Sequence, residues 1–173
     1  FLSACKIGPA LAAGNTVVLK ASEHASAPML EFGRLVAEAG IPDGVVNIVT
    51  GHGDPCGRVL TSHPLVARVA FTGGPVAARH VITNSATNFA EVSLELGGKS
   101  PHIVRADADL DLAARGIANA IFPGGGQSCI AGSRLLIHAD IIEDFTQRLA
   151  ALGAQAVVGP PEDPATTIGP LAN

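Results

Sequence analysis

The sequence predicts an α/β fold with a parallel sheet, and three observations carry that reading. Short β-branched runs alternate with stretches of helical periodicity through the first half of the chain, the pattern left by successive βαβ units. Of the 173 residues, 47% are hydrophobic and only 15% charged, which supplies a sizeable core and argues against disorder. Apolar runs are short and interrupted by Gly, Pro or charge, so none has the length of a membrane-spanning helix.

The elements follow in order. Thr16-Val17-Val18-Leu19-Lys20 reads as the first buried strand. Ser26 is placed to cap a helix with Pro28 in its first turn; Phe32, Leu35, Val36 and Ala39 recur at helical spacing, and Gly40 with Pro42 stops it. Val45 to Val49 is the next strand, feeding Thr50-Gly51-His52-Gly53 and a short helix over Pro55 to Ser62. Val66 to Phe71 is a third strand, Pro75 to Ser85 a helix, and Glu91 to Leu94 a fourth strand. The character changes between Leu96 and Pro101, which predicts a domain boundary with residues 1–97 on one side and 98–173 on the other. Beyond it, Pro101-His102-Ile103-Val104 opens the second part and Asp109 to Ile121 reads as a helix. Cys129 is expected at or just inside the start of a further helix, before a strand over Arg134 to His138 and an amphipathic helix over Ile141 to Leu152.

Charge and composition narrow the function classes. The formal net charge is -4, Trp and Tyr are absent and Phe numbers six, so neither a basic stripe nor an aromatic platform for nucleic acid is present. With no membrane-spanning run and no recognisable signal peptide, the expectation is a soluble cytoplasmic protein. Cys5, Cys56 and Cys129 are odd in number and far apart, which fits reduced thiols rather than a disulfide framework. The six histidines lie singly, without metal-ligand spacing, and no structural metal is expected.

Two runs carry chemistry. Cys129 lies in Gly125-Gly126-Gln127-Ser128-Cys129-Ile130-Ala131-Gly132-Ser133-Arg134, where small neighbours and Gly124 to Gly126 let backbone approach a bound carbonyl. The thiolate is the reactive form of a cysteine, and a helix N-terminus stabilises it. Glu95 lies in Leu94-Glu95-Leu96-Gly97-Gly98-Lys99-Ser100-Pro101, at the end of a strand, where open α/β sheets place their ligands. Partial burial is expected there, and a partly buried carboxylate is the better base. The plainer alternatives are a buried inert thiol and a solvated glutamate. Gly51, Gly53 and Gly57 form a loose glycine pattern between a strand and a helix, where turn glycines are the alternative reading. Gly98-Lys99-Ser100 matches only the end of a phosphate-binding P-loop, because the earlier glycine falls at Ser93, and Lys99 is read as structural.

Together and in this order, the two runs resemble those of the aldehyde dehydrogenase superfamily, over Lys6 to Leu171. The resemblance implies a Rossmann-like parallel sheet in the later part of a dinucleotide-binding domain, followed by the first part of an α/β catalytic domain. It implies oxidation of an aldehyde to a carboxylic acid with NAD, or alternatively NADP. In that scheme Cys129 attacks the carbonyl, hydride leaves for the nicotinamide, and Glu95 activates the water that hydrolyses the thioester. Lys20 and Glu23 match residues that contact the adenosine ribose; Gly51 and Gly53 match a loop beside the cofactor. Phe71-Thr72-Gly73-Gly74 resembles the family's Phe-Thr-Gly-Ser segment, whose backbone attracts the pyrophosphate, with Gly74 departing from the serine. Leu96 is counted with the cofactor contacts, and Gln127 with the shaping of the thiol loop. A small-molecule aldehyde is the implied partner, in a homo-oligomeric parent protein, since both termini fall inside the longer family pattern. Three other readings stay open: an acylating relative that passes the thioester to coenzyme A, against which Glu95 argues; a thiol esterase without cofactor; and an inactive segment serving folding or subunit association.

Overall fold

The three strand ladders among the described residues are all parallel, and each is closed by a helical crossover, as βαβ geometry requires. The computed structural model describes residues 1–172 and divides into two units, Phe1–Leu96 and the residues from Gly97 onward.

The first unit opens with α1 (Leu2–Ala12), which buries Ile7 and contains Pro9. The sequence pattern predicts no element here; Pro9 removes only one internal hydrogen bond, and the helix continues past it. β1 (Val17–Lys20) pairs with β2 (Val46–Val49), Val17 opposite Val46 and Lys20 opposite Val49. Between them runs α2 (Ser26–Glu38), where Gly33 lies so close to the Ile48 side chain that an added Cβ would come within 3.1 Å. Ser26 does not cap this helix. Its hydroxyl donates instead to the Ser22 carbonyl at 2.8 Å, and Ala25 occupies the cap position. Phe32 and Val36 are half-buried but Leu35 and Ala39 are exposed, so the apolar stripe is narrower than its sequence spacing predicts.

After β2 a π-helical turn, Gly53–Gly57, runs directly into α3 (Arg58–Ser62), so the helix expected over Pro55 to Ser62 is present with its first turn wound more widely. β3 (Arg68–Thr72) and β4 (Glu91–Glu95) pair from Arg68 opposite Glu91 to Thr72 opposite Glu95. Their crossover, α4 (Pro75–Ser85), buries Ala78, Val81 and Ser85 on one face. Buried polar groups join α4 to α3: the Ser85 hydroxyl donates to the Thr61 carbonyl at 3.3 Å, and Asn84 Nδ2 donates to Thr61 Oγ1 at 3.1 Å. A buried hydroxyl left without such a partner costs about 1–3 kcal/mol, so these bonds select this packing of the two helices.

In the second unit β5 (Pro101–Val104) pairs with β6 (Arg134–Ile137), Pro101 opposite Arg134. α5 (Leu110–Ile121) starts at Asp109, whose carboxylate accepts the Leu112 N–H at 3.0 Å, and α6 (Ile142–Gly153) packs against it. The core is Val104, Ala114, Ile117 and the fully buried Phe145, with Leu135, Ile137, Leu149 and Leu152 around them. Arg148 on α6 donates to Asp144 one turn earlier and to Asp111 on α5, fastening the two helices at the surface. No helix among the described residues is long and apolar enough to cross a membrane.

Phe145→Ala is expected to destabilise the second unit by about 3–5 kcal/mol, the usual cost of emptying a fully buried aromatic site. Because the chain has no Trp or Tyr, urea unfolding followed by far-ultraviolet circular dichroism is the suitable measurement. An unchanged midpoint would show that the core does not depend on this ring.

Candidate functional site

At the shared end of β1 and β2, Lys20 ties the two strands' outgoing segments together. Its ammonium donates to the Gly51 carbonyl at 2.7 Å, to the Ala21 carbonyl at 2.9 Å and to Glu23 Oε2 at 3.4 Å. Gly51 has φ +152°, and a Cβ there would meet the Cys56 side chain at 2.7 Å; a Cβ on Gly57 would touch the Lys20 stem at 3.6 Å. Two of the three glycines in this pattern therefore have packing reasons, while Gly53 faces open space.

Glu23 is half in solvent, with His52 Nδ1 3.9 Å from Oε1. Its carboxyl is held below the usual carboxylate range, first by its own backbone N–H, then by the hydrogen bond and charge of Lys20. The arrangement is a lysine-braced anionic group at the strand ends, able to accept hydrogen bonds from a hydroxylated ligand and to repel an anionic one.

The ends of β3 and β4 form a second cluster in the same unit. Thr72 and Glu95 are register partners, and the Gly73 N–H donates to the Glu95 carbonyl at 3.1 Å. Gly73 lies under the Phe71 ring, where a Cβ would come within 2.6 Å of Cζ. Gly74 caps α4 without any side-chain hydrogen bond, so the first-turn N–H groups have no capping hydroxyl. The Thr72 hydroxyl oxygen is buried and lacks a hydrogen-bond partner among the described residues. Such a group, beside an uncapped helix N-terminus, fits an oxygen-rich or anionic ligand. Glu95, however, is exposed, so the partial burial expected for it is not there. Leu96 follows it, half-buried.

In the second unit the thiol lies on a turn. The expected helix start at Cys129 is absent: a 3₁₀ turn, Pro123–Gly126, leads through Gln127 and Ser128 to Cys129, and the next regular element is β6. The reason is visible in Gly124, Gly125 and Gly126, with φ of 65°, 63° and 72°, three consecutive left-handed residues that no right-handed helix continues through. Helix-dipole stabilisation of the thiolate therefore has no helix to act from. The Ala131 N–H closes the turn on the Ser128 carbonyl at 3.1 Å, and Gln127 Oε1 accepts the Ala172 N–H at 3.0 Å. Cys129 and Cys5 are exposed and Cys56 is half-buried; all three are free thiols.

One contact joins the two sequence runs. A Cβ on Gly98 would stand 3.0 Å from the Cys129 carbonyl oxygen, so the second glycine of Glu95-Leu96-Gly97-Gly98-Lys99 clears room for the backbone of the thiol turn. Alongside, Arg134 Nε donates to the Lys99 carbonyl at 2.7 Å, which gives the lysine's main chain a structural part. Sequence reasoning missed this seat. Its only signal was the glycine spacing, which says nothing about the approaching partner.

The family model described as the aldehyde dehydrogenase family matches residues 1–173. A (Z)-2-((N-methylformamido)methylene)-5-hydroxybutyrolactone dehydrogenase of Acinetobacter baylyi is 60% identical over 171 residues, covering 99% of this chain and 35% of that protein. A phenylacetaldehyde dehydrogenase of Pseudomonas fluorescens is 49% identical over 168 residues, covering 97% and 34% respectively. Among solved structures, PnpE in complex with nicotinamide adenine dinucleotide superposes with a TM-score of 0.96 at 45% identity, over 99% of this chain and 35% of the other. The chain thus spans about a third of the length of the relatives it matches. With the whole chain matched and the same α/β elements in place, the chain belongs to the aldehyde dehydrogenase family.

Proposed function

We propose that these residues form the cofactor-binding and thiol-bearing segment of a longer, cytoplasmic NAD(P)-dependent enzyme that oxidises an aldehyde to a carboxylic acid. The observation that carries the reading is the seat of the Cys129 carbonyl against Gly98, which links the thiol run to the glutamate run through backbone. Cys129 Sγ adds to the aldehyde carbon and forms a thiohemiacetal; after oxidation the acyl group stays on sulfur as a thioester. Backbone N–H groups of the turn, that of Cys129 among them, stabilise the carbonyl oxygen as charge develops on it. Glu95 then takes a proton from the water that releases the acid. Gln127, bonded to the Ala172 N–H, holds the turn's approach.

The bound dinucleotide supplies the hydride acceptor. Its adenosine ribose is assigned to Lys20 and Glu23 beside the Gly51 to Gly53 loop. Its phosphates are assigned to Phe71, Thr72, Gly73 and Gly74, where the unpartnered Thr72 hydroxyl offers what Gly74 lacks, and Leu96 lies by the redox end. The charge on Glu23 favours NAD, since a 2′-phosphate would meet a like charge.

A second reading concerns these 173 residues by themselves. Phe89, Leu65 and Ile130 are 93%, 87% and 79% exposed, with many other apolar residues uncovered in both units. Surfaces of this kind associate, and both Cys129 and Glu95 are exposed rather than enclosed. The separate chain is expected to sediment as oligomers or aggregates and to oxidise no aldehyde with NAD. A monomeric, active chain would overturn this reading.

In the longer protein, Cys129→Ala is expected to abolish aldehyde oxidation, while Cys5→Ala and Cys56→Ala leave it nearly intact; steady-state NADH production decides it. Glu95→Gln should keep a rapid first turnover of NADH and lose steady turnover, because the step it serves comes last. Loss of that first burst would reassign Glu95 to thiol activation. Glu23→Gln should raise the NADP/NAD ratio of kcat/KM by about tenfold, the worth of one nearby like charge. The pH dependence has a definite sign. With its carboxyl held low, Glu23 contributes charge and pairing stability above the ordinary carboxylate range and loses them as pH falls through the lowered value. Lys20→Met should shift that loss to higher pH, followed by carboxyl NMR.

A further inference from the structure

Behind the thiol turn lies a histidine that the reaction scheme leaves unused. His102, the second residue of β5, sets its ring so close to Gly132 that a methyl group there would overlap Nε2. Gly132 is buried, and Nε2 is shielded from solvent with no hydrogen-bond partner among the described residues. The ring is thus wedged against main chain, three residues after Cys129, and is held by packing rather than by polar pairing. The segment leading into β5 grips the turn at two further points: Gly98 faces the Cys129 carbonyl, and the Arg134 N–H donates to the Ser100 carbonyl at 3.3 Å.

We propose that His102 is a positioning residue for Cys129, its imidazole acting as a spacer under Gly132 that sets how far the Ser128–Ser133 turn stands from β5. The proposal rests on the reading of Cys129 as the nucleophile. Gly132 is what admits the ring, and a β-carbon at that position would push the two apart. A spacer of this kind acts through backbone placement, so its effect falls on the acylation geometry more than on aldehyde binding.

The test uses the longer protein carrying this segment. His102→Ala is expected to lower kcat roughly tenfold or more, the scale of a displacement well under 1 Å at a reacting atom, with the aldehyde KM changed less than about twofold. His102→Gln, whose terminal amide reaches about as far as the imidazole Nε2, should recover most of the loss, and Gly132→Ala should reproduce it. Amide hydrogen exchange at Ala131 and Arg134 should accelerate about tenfold in His102→Ala while amides of α5 and α6 keep their rates. Unchanged kcat, or unchanged exchange at those two amides, overturns the proposal. Equal acceleration throughout α5 and α6 also overturns it, since that marks general loosening. Should His102→Ala not fold, Gly132→Ala is read by the same measurements. Turnover retained in Cys129→Ala would instead strike the nucleophile reading, and the exchange result keeps the two failures apart.

Discussion

Parallel pairing is the constraint on which the arrangement of this chain depends. Two parallel strands begin at one edge and end at the other, so whatever follows one strand lies beside whatever follows its partner. That is why the residues after β1 and those after β2, far apart in sequence, can share Lys20 as a brace, and why Thr72 finishes level with Glu95. In the second unit the same rule works at the opposite edge. Here it is the segments entering β5 and β6, Gly98–Ser100 and the thiol turn, that are brought together. Open α/β sheets are usually said to gather ligands at the carboxyl ends of strands; the thiol turn of this unit is held at an amino edge.

Much of this was legible from the sequence, for identifiable reasons. Strands of β-branched residues bounded by Gly and Pro, and helices closed by such residues, announce themselves locally, and all the expected strands formed within two residues of their expected ends. Pro75 at the first turn of α4 and Asp109 at the cap of α5 are likewise local signals. No element is expected from the sequence over α1, where Gly8 and Pro9 are weak helix formers; the burial of Ile7 shows what the helix contributes. The cap at Ser26 failed because the helix starts one residue earlier than expected: Ser26 is its first residue, Ala25 is the cap, and the Ser26 hydroxyl donates back to the Ser22 carbonyl.

The chemistry was legible as residue types, and less so as environments. Cys129 and Glu95 stand out by their neighbours in sequence, but exposure, hydrogen bonding and the absence of a helix at the thiol are properties of the folded chain. Gly124 to Gly126 read as room for the backbone to approach a carbonyl; in the fold they are a specific left-handed path that replaces the expected helix. Lys20 and Glu23 match ribose contacts by resemblance, whereas the shortest hydrogen bond Lys20 makes is to the Gly51 carbonyl, which no local pattern encodes.

Gly124 has a different lesson in it. An added Cβ would find nothing within 4 Å there, so a larger residue is not barred by volume. Its φ of 65° bars it by handedness. Among natural residues only asparagine and aspartate come near glycine in accepting that path. A D-alanine placed there by chemical synthesis would take it readily, and would stiffen the unfolded chain as well. The approach to the thiol is therefore a site selected by chirality, where the mirror-image amino acid is the better fit and the ribosome has only glycine to offer without strain.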